Sequence, residues 1–330
     1  MQQKIESFEK RIMAPILPWT LVPLQTTLGG SITCVGTGVH SGASVKLVLK
    51  PAPEGHGIVF YRHTQGKRLA IPALWTHVSS TNLCTTLRHI PSDTLPSRVD
   101  TAYAAPDQSV PEVSISTVEH ILSALSGLGI DNAMIEVHGT EIPIMDGSAA
   151  TFVQLIDEAG VAEQSAYKRI LVVKKTVRIG DEHKWATLSP AEDREFTFEC
   201  LFDRPTLLDN QYFSMTLTPT TYRQEVAKAR TFGFIEEVEH LQSKGLARGA
   251  SLDNAVGLSA NGVLNPEGLR YANECARHKI LDAVGDLALS GTSVLGAFHG
   301  HCSGHSLNLQ LLQKLMSDPS AYSIVSAASL

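Results

Sequence analysis

The chain has 330 residues, of which 43% are hydrophobic and 18% charged, with a net charge of -6 at pH 7. That balance describes a globular protein large enough for two domains and argues against a nucleic-acid partner, which a strongly basic domain would signal. No stretch reaches the roughly 18 uninterrupted apolar residues of a membrane span, and five scattered cysteines without a CxxC pair suit reduced thiols in a cytoplasmic compartment.

Residues 1–25 read as a flexible tail. Glu6 and Glu9 precede the apolar "MAPILPWTLVPL", which three prolines interrupt, so it is not a signal peptide. Strands are predicted at "SITCV" and "SVKLVLK" around a Gly-rich turn, then at "GIVFYRH" and "TNLCTTLRHI". Residues 91–112 hold four prolines and read as a long loop. Ser116 or Thr117 is the candidate N-cap of a helix over "VEHILSALSGLG", ended by Gly127 or Gly129. A strand at "NAMIEVHG" and a helix at "SAATFVQLIDEAG", closed by Gly160, complete the first half, and "VAEQSAYKR" reads as a short connection.

The pattern then starts again. "ILVVKKTVRIG", "HKWATLSP", "REFTFECLF" and "YFSMTLTP" are strand-like, while "TYRQEVAKA", "FIEEVEHLQSKG" and residues 272–290 are helical. "SVLGAFHGH" is a last strand and "SLNLQLLQKLMSD" a last helix. Strands first and two principal helices later, twice over, predict an α+β protein of two similar domains, 26–163 and 164–330.

Within "RHKILDAVGD", His278, Asp282 and Asp286 stand four apart and share one helix face. Such a stripe is ordinarily the solvated face of an amphipathic helix. The alternative is a metal half-site that takes a further ligand from elsewhere. His120, in "STVEH", can supply it, making a two-histidine, one-carboxylate set suited to catalytic zinc, with Fe(II) also compatible. The HExxH protease motif is absent. With a metal in place, Glu119 beside His120 becomes a candidate base and His305 of "SGH" a candidate acid. Asp286 could orient that imidazole, and Lys279 could meet a phosphate.

The segments "STVEHILSALSGLGIDNAMIEV", "EIPIMDGSAATFV", "ARTFGF", "GASLDNAV" and "CARHKILDAVGDLALSG", with "SGH", resemble the UDP-3-O-acyl-N-acetylglucosamine deacetylases of lipid A biosynthesis, over about residues 26–317. The resemblance implies a zinc amidohydrolase that releases acetate from UDP-3-O-(3-hydroxyacyl)-N-acetylglucosamine. It implies helices sandwiched between two sheets. The chain is expected to be a monomer with no stable membrane insertion. It assigns Glu119 as general base and His305 as general acid, supported by Asp286, with His120, His278 and Asp282 as zinc ligands. Thr231 falls near the reacting carbonyl with Phe232 beside it, and Lys279 faces the nucleotide phosphates. Lys184 falls where the acyl-binding insert begins. His40 of "GVHSG" falls close to the active site, although a histidine in a strand turn also has a structural reading.

Two features depart from the family pattern. Cys302 stands where a lysine usually precedes the final Gly-His, unless His299 or His301 replaces that cation, and the 91–112 loop is longer than usual. These departures leave open a related metal amidohydrolase acting on another N-acetylated sugar nucleotide. A non-catalytic binding protein on the same fold is the reading from another class.

Overall fold

The computed structural model describes residues 23–64, 66–91, 113–202 and 210–330. Almost all of the expected tail and of the 91–112 loop lies outside these residues. The first half runs β1 (Leu24–Leu28), β2 (Ile32–Thr37), β3 (Ser44–Pro51), β4 (Ile58–Thr64), β5 (Lys67–Pro72), β6 (Val78–Ser80), β7 (Thr86–Arg88), β8 (Ser114–Ile115), α1 (Glu119–Gly127), β9 (Ala133–His138), α2 (Ala150–Ala159) and β10 (Val161–Tyr167). The second half runs β11 (Arg169–Val173), β12 (Val177–Gly180), β13 (Trp185–Ser189), β14 (Arg194–Cys200), β15 (Gln211–Thr216), β16 (Phe232–Phe234), α3 (Ile235–Ser243), β17 (Val256–Ser259), β18 (Gly262–Val263), α4 (Glu274–Ala288), β19 (Ser293–His301), α5 (His305–Ser317) and β20 (Tyr322–Ser326).

The duplication is visible strand by strand. The first sheet has the order β2-β3-β9-β4-β5, antiparallel throughout except where β4 pairs β9. In the second, β12-β13-β19-β14-β15 repeats that order, and the parallel pair, β14 with β19, sits in the same place. Each half also has a buried helix immediately before its central strand, α1 or α4, and another helix after it, α2 or α5, while the second half adds α3. The fold is α+β, with two large sheets, three smaller ones, and α1 and α4 buried in the core that the large sheets share.

α1 and α4 are enclosed on nearly every side by the apolar core. α1 buries eight of its nine residues and α4 twelve of its fifteen, which a helix lying on a surface does not do. Ile121, Leu125, Ile280 and Val284 share one buried cluster with Leu47, Phe60 and Ile135 of the first sheet and Phe196, Phe198 and Phe298 of the second. Full burial of each such side chain contributes about 1.5–3 kcal/mol. The close contact of α1 with α4 depends on Gly285, where an added Cβ would lie 2.1 Å from the carbonyl oxygen of Glu119. No helix among the described residues is long and apolar enough to cross a membrane.

Several local expectations need correction. The segment expected as a connection, "VAEQSAYKR", is largely strand β10, and it pairs with β1 in a sheet of its own. Its weakly apolar alternation marks an edge that is half exposed. "TNLCTTLRHI" supplies only three residues of strand, because Thr85 turns toward the helices and bonds there. Neither Ser116 nor Thr117 caps α1: the N-cap residue is Val118, and no side chain closes that end. "TYRQEVAKA" forms a short turn at Pro219–Thr221 that passes into a π-helical turn at Tyr222–Val226.

Candidate active site

The stripe on α4 is not solvated. His278, Asp282 and Asp286 are each 2% exposed, so the amphipathic-surface reading fails and their burial needs compensation. His278 Nδ1 lies 3.0 Å from the carbonyl oxygen of Ala229 and donates to it, which leaves the Nε2 lone pair free. That Nε2 points at Asp282 Oδ1 across 3.3 Å, and His120 Nε2 approaches the same oxygen at 3.7 Å. Asp282 Oδ1 is buried and accepts no hydrogen bond. Burial and the neighbouring His278 push the pKa of His120 down to about 3, and burial also lowers that of His278, so both imidazoles are neutral donors. For Asp282, burial opposes ionisation, but His278 and Lys279 outweigh it and hold the carboxyl well below its usual range. Two neutral imidazoles and a carboxylate, converging on one point, form a donor set that fits a divalent cation.

A second cluster lies on the outer face of the first sheet. His63, Glu136 and His138 come together there, with the two imidazoles stacked 4.6 Å apart. Lys50 (2.9 Å) and Arg68 (3.5 Å) already pair with the Glu136 carboxylate, so two cations occupy the charge a metal would need.

Beside the buried donor set stands a proton-transfer pair. Burial, with Asp286 and Asp282 nearby, raises Glu119 to about 7 against the pull of His305. Burial alone would lower His305; Asp286, Glu119 and Asp282 overcome it and lift the imidazole to about 10. His305 Nδ1 donates to Asp286 Oδ2 at 2.9 Å, and its Nε2 faces Glu119 Oε1 at 3.8 Å. Asp286 thus stands where its carboxylate favours the charged form of the imidazole and fixes the ring.

Two residues in this network were not anticipated. Thr85 donates its backbone N–H to Glu119 Oε2 (3.0 Å) and its hydroxyl to Asp286 Oδ1 (2.7 Å), tying the two carboxylates together. Asn308 donates to Asp286 Oδ2 at 2.9 Å. Asn308 lies three residues after His305 on α5, a spacing that could have flagged it; a threonine 34 residues before Glu119 carries no such signal. A buried ion pair supports His278 from behind. Arg230 Nε meets Glu274 Oε1 at 2.9 Å, fastening the segment that carries Ala229 and Thr231 to the first turn of α4.

His40, Glu119, His120, Lys184, Thr231, Phe232, His278, Lys279, Asp282 and His305 all line one cavity of about 520 Å³, while Asp286 sits behind His305. Lys279 reaches Asp282 Oδ2 at 2.7 Å, so its charge is already engaged within the site. The His40 turn is held by Glu141, which accepts from the backbone N–H of His40 at 3.1 Å, and His40 Nδ1 is buried without a partner. Cys302 lines the cavity, whereas His299 and His301 do not; both bond the Glu199 carboxylate, at 2.9 and 2.8 Å. Neither histidine takes the place of the missing lysine. Burial and Glu119 push the Cys84 thiol up to about 12, so it is no nucleophile.

A buried carboxylate and an imidazole beside one three-donor set, at the junction of two α+β halves, are groups with which a hydrolytic enzyme can work. The model of the UDP-3-O-acyl N-acetylglycosamine deacetylase family matches residues 25–317. The chain is 45% identical over 305 residues to the UDP-3-O-acyl-N-acetylglucosamine deacetylase of Myxococcus xanthus (strain DK1622), covering 92% of this chain and 90% of the relative. It is also 45% identical over 293 residues to the deacetylase of that name from Legionella pneumophila (strain Corby), covering 88% and 90%. To the one from Pseudomonas entomophila (strain L48) it is 43% identical over 302 residues, covering 91% and 93%. The chain belongs to this family of deacetylases, hydrolases acting on an amide.

Proposed function

We propose that this chain hydrolyses the acetamide of UDP-3-O-(3-hydroxyacyl)-N-acetylglucosamine in lipid A synthesis, as a cytoplasmic monomer with zinc, or Fe(II), held by His120, His278 and Asp282. The observation that carries the metal assignment is the convergence of two neutral imidazole nitrogens on a buried carboxylate oxygen that has no hydrogen bond. A divalent cation there supplies Lewis acidity toward water and the acetamide carbonyl. Glu119, ionised, accepts a proton from the attacking water; the Thr85 N–H holds one carboxylate oxygen and leaves the other facing the cavity. His305 enters charged and gives the Nε2 proton to the departing amine as the C–N bond breaks, while Asp286 keeps the ring oriented. Thr231 and Phe232 flank the reacting group, and Lys279, Lys184 and His40 contact the remainder of the substrate around the cavity wall. Five free thiols accord with a reducing compartment.

The test is acetate release from UDP-3-O-acyl-N-acetylglucosamine over a panel of acyl lengths, alongside elemental analysis of protein purified without added metal. Near-stoichiometric zinc or iron that is lost in His278→Ala supports the ligand set. A metal content unchanged by that substitution removes it.

A further inference from the structure

Thr85 stands between the two carboxylates that face His305. It lies just ahead of β7 and is 1% exposed, and its carbonyl accepts the Val118 N–H at 3.3 Å, which ties its backbone to the start of α1. From there it takes one oxygen of each acid. Its N–H donates to Glu119 Oε2 at 3.0 Å and its hydroxyl to Asp286 Oδ1 at 2.7 Å. The two oxygens left over are the ones that meet the imidazole: Asp286 Oδ2 lies 2.9 Å from Nδ1, and Glu119 Oε1 lies 3.8 Å from Nε2.

The hydroxyl arm crosses between the halves of the fold. Asp286 is 2% exposed, and a carboxylate so deeply buried needs donors on its oxygens. Oδ2 is served from its own half, by His305 and by Asn308 at 2.9 Å, whereas Oδ1 is served from the first half by Thr85. A carboxylate bonded at both oxygens is not free to turn about its Cβ–Cγ bond, so Oδ2 stays on the imidazole and the ring keeps its direction. Thr85 itself stands behind the cavity wall, which the neighbouring Cys84 lines, so it acts through other residues and not on a ligand. We propose that Thr85 is a positioning residue for proton transfer: its hydroxyl, acting through Asp286, holds His305 aimed at the leaving amine, in step with the base that its backbone N–H holds. This inference rests on the deacetylase reading.

The test measures kcat and KM for acetate release from UDP-3-O-acyl-N-acetylglucosamine, with metal content and melting temperature, in the full chain. Thr85→Val keeps the branched shape and the N–H and removes the hydroxyl. Its kcat is expected to fall about ten- to a hundredfold, the scale of a lost hydrogen bond to a buried charge. KM and metal content stay near the parent, because Thr85 meets neither substrate nor the metal donors. Thr85→Ser restores the hydroxyl and recovers most of the loss. In an Asp286→Asn background the valine substitution is expected to cost less than about threefold, since the carboxylate it orients is gone. A valine variant with parental kcat, a serine variant as slow as valine, or an equal valine penalty in both backgrounds overturns this assignment and leaves the deacetylase reading in place. Should Thr85→Val not fold, Thr85→Ala removes the same hydroxyl without adding carbon, and the same three outcomes decide. Parent protein that releases no acetate overturns the deacetylase reading and the Thr85 assignment together.

Discussion

Glu119 and His305 lie 3.8 Å apart, and opposite terms govern them: burial lifts the carboxyl to about 7, and neighbouring carboxylates lift the imidazole to about 10. With Glu119 as the proposed base and His305 as the proposed acid, kcat/KM is expected to rise as pH climbs through the Glu119 value and to fall as it climbs through that of His305. A cation in the donor set adds positive charge beside both and moves both limbs to lower pH. Asp286→Asn keeps the shape of the residue and removes the charge that most strongly lifts His305. Its alkaline limb is therefore expected at lower pH, and because Asp286 also raises Glu119 the acid limb moves in the same direction; rate profiles that superimpose on the parent would remove Asp286 from this role. Cys302 poses a separate question at the cavity wall. Its sulfur faces the backbone of Leu201, 3.4 Å from the nitrogen, and its φ is +49°. If a lysine there helps relatives hold substrate, Cys302→Lys lowers KM about ten- to a hundredfold with kcat little changed, because the contact is equal in ground and transition states. His299 and His301 are committed to Glu199, so the gain is expected at every pH. A KM that does not move means position 302 stands clear of the substrate.

At the scale of elements, the site exists because α1 and α4 approach closely enough for His120 to meet His278 and Asp282. Gly285 permits that approach. Alanine would favour the helix intrinsically by about 1 kcal/mol, but its Cβ would fall 2.1 Å from backbone that cannot move alone. Overpacking of this kind costs typically 1–3 kcal/mol or more, so Gly285→Ala is expected to be net destabilising and to weaken metal retention. Denaturant unfolding with metal analysis checks this, and a variant as stable and as metal-replete as the parent contradicts it. The same pair of helices shows how far the sequence could be read. The i, i+4 spacing of His278 and Asp282 is a property of one helix and was legible, as was Glu119 beside His120. That α1 lies against α4 came only from the resemblance, since no local pattern encodes which helices meet. Thr85 was illegible for a related reason: its bonds to Glu119 and Asp286 span 34 and 201 residues. Strand β10 was missed because its exposed edge lacks the apolar run that marks a buried strand, and the capping expectation failed because Thr117 takes a left-handed φ of +60° and Val118 occupies the N-cap position.

Across the whole molecule, the donor set joins the two halves of a duplicated fold. His120 comes from the first half, on the helix that precedes β9, and His278 and Asp282 from the second, on the equivalent helix before β19. A cation bound by all three therefore binds the assembled protein and not the unfolded chain, where the ligands are about 160 residues apart in sequence, at a loop-closure cost that grows only slowly with length. Ligand linkage then sets the size of the effect: metal at about 1,000 times its Kd stabilises the fold by about 4 kcal/mol. Removing it also leaves Asp282 Oδ1 buried with neither a hydrogen bond nor a cation. Chelation is expected to lower the melting temperature, and restored zinc to recover it in a concentration-dependent way. His120→Ala separates clamping from ordinary binding. It keeps both α4 donors, so residual metal can still bind the second half, but the bridge to α1 is gone. In that variant, the increment in melting temperature on adding zinc should shrink markedly even where zinc saturates the remaining ligands. An undiminished increment would place the stabilising metal elsewhere and detach the donor set from the stability of the fold.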